Sequence, residues 1–295
     1  MASAVVIRNV CKTLPTINIF NRFSFRSYTS GASTGNLDIG KLGHVSLIGL
    51  NNPEKRNAVD PFTAKQLIEA FQDFEKDENA RVAVLYGKGG YFCAGLDLKS
   101  LSQSEGNIKT QEPNDGIRAP MGPSRMMFSK PVIGAISGYA VAGGMELALL
   151  CDLRVVEESA IMGIFCRRFG VPLVDGGTVR LPALIGLSRA LDLILTGRPI
   201  NAKEALQFGL ANRVVPDGTG LTNAIELANE IAAFPQRCMK ADRRSAYNST
   251  FDAETMMDGL QYEFVNGMKV VQDEAVPGAQ RFKDGVGRHG SFTKK

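Results

Sequence analysis

Short runs rich in β-branched residues alternate with helical patterns, and this alternation most restricts how the 295-residue chain can fold. "HVSLIGL" (44–50) and "VAVLYG" (82–87) are bounded by turn residues and predict buried strands. Further strands are predicted near 131–137 ("PVIGAIS") and over 152–160 ("DLRVVEESA"). Because helical stretches separate these runs, the strands must be joined by crossover connections. The sequence therefore predicts an α/β fold with a largely parallel sheet.

The helical stretches carry start signals. Asp60 and Pro61 favour a helix start, because Asp caps the free N–H groups and Pro suits the first turn. A second helix is predicted from Gly143-Gly144, and the chain becomes mainly helical after about residue 185. In that part, Asn201 and Glu204 stand at capping-box spacing. The stretch 221–234 predicts one more helix, with an apolar face formed by Leu227, Ile231 and Phe234.

Two stretches differ in composition from the rest. The interval 101–123 is polar and rich in Gly and Pro, which predicts a mobile loop or lid. Residues 1–28 contain no acid and four basic residues, Arg8, Lys12, Arg22 and Arg26. This composition is typical of a mitochondrial transit peptide, with processing within "RSYTSGAS" (26–33), a mature start near Thr29 and a destination in the matrix. A terminus without a targeting role is the alternative.

Composition also excludes several classes of function. The four leader charges account for the whole net charge of +4, so the remaining chain is nearly neutral and nucleic-acid binding is not expected. No apolar run approaches the roughly 20 residues that a membrane span needs. The five cysteines form no CxxC pair, which favours reduced thiols. His44 and His289 lie near opposite ends, so a histidine metal site or a Ser-His-Asp triad is not expected.

The run "AVAGGMELALLCD" (140–152) contains a glutamate where a buried helix is expected. Glu146 is the only charged residue in it before Asp152. An unpaired buried carboxylate is costly, and burial ordinarily raises its pKa. A raised pKa is useful to a group that exchanges a proton near neutral pH, so Glu146 is a candidate acid/base. The alternative is a structural glutamate that is bonded to a backbone N–H.

Two glycine-containing turns are candidates for binding an anionic oxygen. "GGYFCAGLDLKSL" (89–101) follows the 82–87 strand, and "SGYAVAGGMEL" (137–147) runs into the helix that carries Glu146. Small residues allow backbone N–H groups to approach a ligand closely, and N–H groups at a helix start lack partners within the helix. Two such donors converging from separate turns would form an oxyanion hole, whereas either turn alone is commonplace.

From about residue 38 to the C-terminus, the chain resembles the enoyl-CoA hydratase/isomerase (crotonase) family. The matching segments are "LNNPEKRNAVD" (50–60), "YFCAGLDLKSL" (91–101), "KPVIGAISGYAVAGGMELALLCDLRV" (130–155), "DGGTVRLPALIG" (175–186) and "LTGRPINAKEALQFGLANRVV" (195–215). They occur in the family's order and spacing. The resemblance implies a crotonase-like spiral of ββα turns over 29–185 and a C-terminal helical trimerisation region over 186–295. It also implies a homotrimer or hexamer and an acyl-CoA thioester substrate.

Carried over position by position, the resemblance assigns roles to individual residues. The oxyanion donors would be the backbone N–H groups of Leu96 and Gly143, and Glu146 would be the first of the family's two catalytic glutamates. The backbone of Ala94, Leu96 and Leu98 would face the adenine of CoA. The CoA phosphates would contact Lys55, Arg56 and Lys99, although solvated surface charges are an equal alternative. No metal or redox cofactor is implied, and CoA enters only as part of the substrate.

The chain departs from the family pattern at the second glutamate. Twenty residues after Glu146 stands Cys166, a weak acid and a poor hydrogen-bond acceptor that cannot duplicate a carboxylate. Cys166 is either a catalytic thiol, whose pKa Arg167 and Arg168 would lower, or a small buried apolar residue. Asp175, in a glycine-rich turn that the family places near the active site, is a candidate replacement, with a turn-forming role as the alternative.

The sequence thus predicts an acyl-CoA enzyme of hydratase type that stabilises a thioester enolate. Because the second glutamate is absent, isomerisation or other enolate chemistry is an alternative. A catalytically silent acyl-CoA-binding subunit is another, and RNA binding, which the charge balance disfavours, is a third.

Overall fold

The structure, a computed structural model, describes residues 29–30, 35–103 and 119–287. The predicted leader (1–28) and most of the predicted lid (104–118) lie outside the described residues. Short helices flank the undescribed part of the lid, since helix α2 covers Leu98–Gln103 and a 3₁₀ turn covers Pro123–Arg125.

Seven of the strands found in the described residues form one sheet, in the order β1-β2-β3-β4-β5-β7-β10. They are β1 (Thr29–Ser30), β2 (Leu37–Leu42), β3 (Val45–Leu50), β4 (Val82–Gly87), β5 (Val132–Ile136), β7 (Leu153–Glu157) and β10 (Arg213–Val215). The pairs from β3 to β10 are parallel, and the pairs β1–β2 and β2–β3 are antiparallel. The four strands predicted from the sequence and the largely parallel sheet are confirmed.

A smaller sheet lies beside the main one. It contains β6 (Tyr139–Val141), β8 (Ile161–Gly163) and β9 (Ile200–Asn201), and β6 and β8 are parallel. Since β6 ends two residues before Gly143, this sheet determines where the helix bearing Glu146 begins.

Helices α1 (Pro61–Lys76) and α3 (Gly143–Leu150) pack on one face of the main sheet and α7 (Gly220–Ala233) on the other, and the structure contains further helices outside these layers. These further helices are α4 (Gly177–Ile185), α5 (Leu187–Thr196), α6 (Ala202–Phe208), α8 (Gln236–Phe251), α9 (Met256–Val270) and α10 (Val276–Lys283). Alternate residues of the central strands belong to two apolar clusters. Leu85 of β4 packs in the cluster that includes α1 and α3, whereas its neighbour Val84 packs with α7. The two-residue period of a strand thus produces a core on each side of the sheet.

Helix starts follow the predicted capping chemistry. Asp60 accepts a hydrogen bond from Thr63 N (2.8 Å) at the start of α1, and Asn201 accepts one from Glu204 N (2.9 Å) at the start of α6. The Glu204 carboxylate, however, binds the Arg198 guanidinium (2.7 Å), so the reciprocal half of a capping box is replaced by an ion pair.

Three features after residue 185 were not predicted, and the first is strand β9 in the smaller sheet. Strand β10 returns to the main sheet beside β7, so the C-terminal part is not purely helical. The side chain of Phe234 is half exposed, because α7 ends at Ala233 and Phe234 no longer follows the helical face of Leu227. The predicted division at residue 185 stays a prediction.

Candidate active site

Two glycine-containing turns meet at the start of α3. The turn 91–97 runs beside β6, where Val141 N donates to Cys93 O (3.1 Å). The approach depends on glycine, because a Cβ added to Gly95 would lie only 2.9 Å from the backbone nitrogen of Gly143. Gly95 also has a φ of +96°, which side chains disfavour. The predicted convergence of the two turns is therefore present.

Two backbone N–H groups are available where the turns meet. Among the described residues, neither Leu96 N–H nor Gly143 N–H donates a hydrogen bond to another group. Gly143 is the first residue of α3, so its N–H also lies at the positive end of the helix dipole. Ala142, just before it, has φ +54° and ψ −125°, a strained conformation for a residue with a side chain, at a cost of about 1–3 kcal/mol. The strain sits beside the proposed donor, as is common at functional sites.

Glu146 lies in the first turn of α3, on the same side as Gly143, since residues three apart share a helix face. It is buried, with 3% of its surface exposed. Its Oε1 accepts hydrogen bonds from Asp175 N and Gly177 N, both at 2.9 Å. Its Oε2 has no hydrogen-bond partner among the described residues. One carboxylate oxygen thus anchors the side chain while the other is left for a ligand.

The pKa of Glu146 is raised to about 7 from its ordinary value of 4.5. Burial is the main cause, and the nearby charge of Asp175 adds to it. The two N–H donors and the charge of Arg180 act in the opposite direction and limit the rise. Both protonation states are consequently accessible near neutral pH, which suits a group that takes up and returns a proton.

Asp175 lies beside Glu146, and its side chain turns towards the segment 119–125. Its Oδ1 accepts hydrogen bonds from Met121 N (2.9 Å) and from the Ser124 hydroxyl. Met121 in turn packs on Gly143, where an added Cβ would be 2.5 Å from its sulfur. Burial raises the pKa of Asp175, and these donors oppose the rise. Asp175 thus holds the segment 119–125 in place over the start of α3 at Gly143.

Cys166 is buried close enough to Glu146 for the two groups to interact electrostatically. Burial raises the pKa of the Cys166 thiol, and the charge of Glu146 raises it further. The charge of Arg167 opposes this rise, and the Arg168 guanidinium stacks on the Phe165 ring at 3.8 Å. Cys166 is consequently a neutral thiol at physiological pH, and its surroundings are those of a small apolar side chain.

The residues predicted to bind CoA lie together along two adjacent segments, 55–59 and 94–99. Ala94 N donates to Arg56 O (3.0 Å), and Asp97 N donates to Val59 O (2.8 Å). The ammonium group of Lys55 binds the Asp97 carboxylate at 2.9 Å, which raises the pKa of Lys55. The negative charge of Asp97 therefore offsets the positive charge that Lys55 could offer to a phosphate. The side chains of Arg56 and Lys99 are exposed.

Several residues that shape the site were not singled out from the sequence. Asn57, buried and with a φ of +57°, donates to Lys88 O and Tyr91 O and holds the glycine-rich turn. Asp97 anchors Lys55, and Ser124 binds Asp175. Asn57 and Asp97 stand within the motifs quoted above, but their partners are distant in sequence, so only the folded structure shows their contacts.

Other site types find no support in the described residues. There, no group of three or more His, Cys, Asp or Glu side chains is arranged to hold a metal ion. No helix in the same ranges is long and apolar enough to span a membrane.

The arrangement can stabilise a carbonyl compound whose oxygen gains negative charge. Two N–H groups that donate to no other described group lie on turns that meet, and a buried carboxylate with a pKa near 7 shares the helix face of Gly143. Preorganised donors of this kind are each worth about 10²–10³ in rate.

Comparison with known proteins agrees with this geometry. Residues 41–285 match the family described as "Enoyl-CoA hydratase/isomerase". The chain is 35% identical over 253 residues to "Enoyl-CoA hydratase EchA19" of Mycobacterium tuberculosis, covering 83% of this chain and 92% of that protein. It is 29% identical over 258 residues to "Probable enoyl-CoA hydratase, mitochondrial" of Dictyostelium discoideum, covering 88% and 89% of the two chains.

A crystal structure of an enoyl-CoA hydratase from Mycobacterium tuberculosis superposes with a TM-score of 0.77 at 30% identity. The match covers 84% of this chain and 96% of that one. This likeness confirms the predicted crotonase-like α/β fold with its C-terminal helices.

Proposed function

The chain belongs to the enoyl-CoA hydratase/isomerase family, and on that premise we propose that it acts on an acyl-CoA thioester through an enolate, as an enzyme of hydratase type. The observation that carries this proposal is the meeting of two unpaired backbone N–H groups beside the buried Glu146. Leu96 and Gly143 would donate to the thioester oxygen. That oxygen gains charge when a nucleophile adds at Cβ or when a proton leaves Cα.

Glu146 would move the proton. In hydration, its carboxylate takes a proton from water as the water oxygen bonds to Cβ, and the C=C electron pair shifts to form the enolate. Protonation at Cα then restores the thioester. The pKa near 7 supports this role, because the carboxylate is basic enough to accept the proton and acidic enough to return it.

Isomerisation is the second candidate, and the environment of Cys166 favours it. Hydration in the family uses two carboxylates, whereas the side chain at 166 is a buried thiol with a raised pKa. Moving a double bond needs only one carboxylate. Glu146 would remove a proton from Cα of a 3-enoyl thioester and return it to Cγ, while the same two N–H groups hold the enolate. The role predicted for Asp175, as a replacement for the second catalytic glutamate, applies only to hydration, because isomerisation needs one carboxylate.

For the CoA moiety, we assign the adenine to the backbone of Ala94, Leu96 and Leu98. The carbonyl oxygens of Ala94 and Leu96 accept no hydrogen bond from another described residue, so they can accept from the adenine amino group. Arg56 and Lys99 are the better phosphate partners, since the ammonium group of Lys55 already binds Asp97. No metal or redox cofactor enters these steps.

The proposal also includes an oligomeric state and a location in the cell. A homotrimer or hexamer is supported by exposed apolar residues along α9, where Met257, Leu260, Phe264 and Met268 follow helical spacing. We call these four residues the α9 stripe. A mitochondrial matrix location is supported by the basic, acid-free residues 1–28 and by the Dictyostelium relative whose name includes "mitochondrial".

The test is turnover of crotonyl-CoA, which reports hydration, and of a 3-enoyl-CoA, which reports isomerisation. Glu146→Gln should reduce the active reaction by at least about 10², the contribution of a positioned acid/base. Glu157→Gln is the matched control, because Glu157 is also buried and its Oε1 also accepts from the first residue of a helix, Gly220 N at 2.9 Å.

Three outcomes are informative. Turnover lost only in Glu146→Gln supports the proposal, and the substrate consumed identifies the reaction. Turnover that persists in Glu146→Gln contradicts it. Acyl-CoA binding without turnover of any thioester would instead support the silent binding subunit.

A further inference from the structure

A cavity of about 470 Å³ lies beside the candidate site. Its walls come from the segment 124–128, the turn before α4, the first turn of α4 and the α8 helix. Apolar side chains predominate, among them Met126, Phe128, Leu173 and Phe251. A cavity of this size with a mainly apolar lining suits the apolar part of a small-molecule ligand.

The cavity and the Glu146 carboxylate lie beside the same turn. Gly176 lines the cavity, whereas its neighbours Asp175 and Gly177 donate their N–H groups to Glu146 Oε1. Ser124, also in the wall, binds the Asp175 side chain. The cavity wall and the N–H groups that hold Glu146 Oε1 thus belong to neighbouring residues of one turn, which places the cavity next to the proposed position of the reacting carbons.

Three arginines line this mostly apolar cavity, and only one of them has a carboxylate partner. Arg243 pairs with Asp152 at 2.9 Å. Within the described residues, neither Arg180 nor Arg125 has a carboxylate within ion-pair distance. One acid, the exposed Asp252, also belongs to the wall. The wall therefore carries excess positive charge.

Arg180 is held in place by carbonyl groups, and the carboxylates of Glu146 and Asp175 act on its charge without a direct contact. Its Nη1 donates to Asp175 O (3.2 Å) and its Nη2 to Ser124 O (2.8 Å). The guanidinium lies over Gly176, where an added Cβ would be 2.2 Å from Nη1. Both bonds go to neutral carbonyl groups, and burial lowers the pKa of Arg180. A guanidinium has five N–H donors, so donors remain for a ligand.

We propose that this cavity binds the far end of the acyl group and that Arg180 and Arg125 recognise a carboxylate there. The preferred substrates would then be CoA thioesters of dicarboxylic acids. This inference rests on the proposed acyl-CoA function and names its substrate class. Arginine suits the task because its planar fork matches a carboxylate with two parallel hydrogen bonds.

Binding of two saturated thioesters of equal length tests this directly. Calorimetry on the full chain would compare octanoyl-CoA, which ends in a methyl group, with octanedioyl-CoA, which ends in a carboxylate. We expect the diacid thioester to bind at least about tenfold more tightly, as expected for a charge-assisted hydrogen bond. Equal or weaker binding of the diacid thioester overturns the inference.

Variants assign the preference to the two arginines. Arg180→Gln and Arg125→Gln should each reduce the diacid preference, measured as the ratio of the two affinities in the same variant, severalfold. Arg125 is exposed and makes no hydrogen bond to another described residue, so its variant stays informative if Arg180→Gln does not fold. Arg244→Gln is the matched control, because Arg244 is exposed on α8 but does not line the cavity. A preference that survives undiminished in both variants would place the carboxylate elsewhere and overturn the assignment.

Turnover of the matching 2-enoyl thioesters separates this inference from the proposed function. A diacid binding preference without turnover of either thioester would leave the inference standing and contradict hydration as the proposed function. Turnover without a diacid binding preference would do the reverse. If neither thioester binds, both are wrong.

Discussion

The pKa of Glu146 results from two opposing effects, burial of the carboxylate and hydrogen bonding to it. The apolar helix removes water from its carboxylate, and two backbone N–H groups return part of the lost stabilisation to one oxygen. The resulting pKa of about 7 is far above that of an exposed glutamate. A pKa this close to neutral pH affects both the stability and the activity of the protein, and the two effects can be measured separately.

The stability consequence is a pH-dependent cost of ionising Glu146. Its pKa is about 7 in the folded protein against an ordinary 4.5, so between these pH values the folded state binds more protons than the unfolded state. Stability must therefore fall as pH rises through this window. Because glutamine does not titrate, the free energy of unfolding of Glu146→Gln should rise relative to that of the parent protein over this range, by on the order of 3 kcal/mol at pH 8. Urea unfolding at pH 4.5 and pH 8 measures the difference, and a gain that is equal at both pH values would contradict the assigned pKa.

The charge of Asp175 should be visible in the pH profile of the reaction. Because this charge raises the pKa of Glu146, Asp175→Asn should move the acid limb of kcat/KM to lower pH. The asparagine oxygen can still accept from Met121 N and Ser124, so the local structure should persist. The rate at pH 8 should change by less than about tenfold, whereas loss of a proton carrier costs about 10²–10⁴. An unshifted limb would show that Asp175 does not control Glu146, and a loss of 10² or more would identify it as a proton carrier.

Sequence reasoning succeeded at some residues and not at others for a physical reason. Glu146 was conspicuous because a lone carboxylate in an apolar helix violates local composition. The bond between Ser124 and Asp175 spans 51 residues and arises from tertiary packing, so no local pattern marks it. The orientation of the Asp175 side chain could not be predicted for the same reason.

At the scale of elements, the first turn of α4 holds the Glu146 carboxylate. Gly177 begins this helix, and an added Cβ would lie 3.0 Å from Glu146 Oε1. Gly177→Ala should therefore displace the carboxylate and reduce kcat by up to about 10², since a shift of about 1 Å at a reacting group has such an effect.

A second helical glycine provides the control for that change. Gly267, in α9, has nothing within 4 Å of an added Cβ. Gly267→Ala should leave kcat unchanged and increase the free energy of unfolding by about 0.5–1 kcal/mol, the difference in helix propensity. If both variants kept full activity, the contact between α4 and Glu146 would have no catalytic importance.

The strands and long helices were predictable because their patterns are local. Strands β3, β4, β5 and β7 coincide with apolar runs, and α1 begins at the predicted cap. Strand β10 was missed because "RVV" is too short to predict a strand by itself, and it becomes one only by pairing with β7.

At the scale of the whole molecule, the C-terminal helices expose apolar side chains, and their contact with water is energetically unfavourable. The α9 stripe is the clearest part, with 70% of Met257 and 65% of Phe264 exposed. Because apolar stripes of this kind mark contact surfaces, the proposed self-association should depend on it.

Placing a charge in the stripe should break the assembly. Phe264→Glu should shift the molecular mass in solution, measured by light scattering, towards that of a single chain. Phe62→Glu is the control, since Phe62 is similarly exposed, at 58%, but lies on α1. An unchanged mass for Phe264→Glu, or an equal loss for both variants, would contradict a role for the stripe.

Exchange of deuterium from D₂O into Cα of a 3-enoyl-CoA and of a 3-hydroxyacyl-CoA tests the central claim most directly, because each loses its Cα proton to form an enolate, in isomerisation and in the reverse of hydration respectively. The protein should catalyse the exchange, and Glu146→Gln and Gly95→Ala should each slow it by about 10²–10³. Gly90→Ala should exchange normally, because Gly90 also has positive φ (+82°) but has open space where a Cβ would stand. Exchange at the parent rate in Glu146→Gln, or equal losses in Gly95→Ala and Gly90→Ala, would contradict an enolate held where the two turns meet.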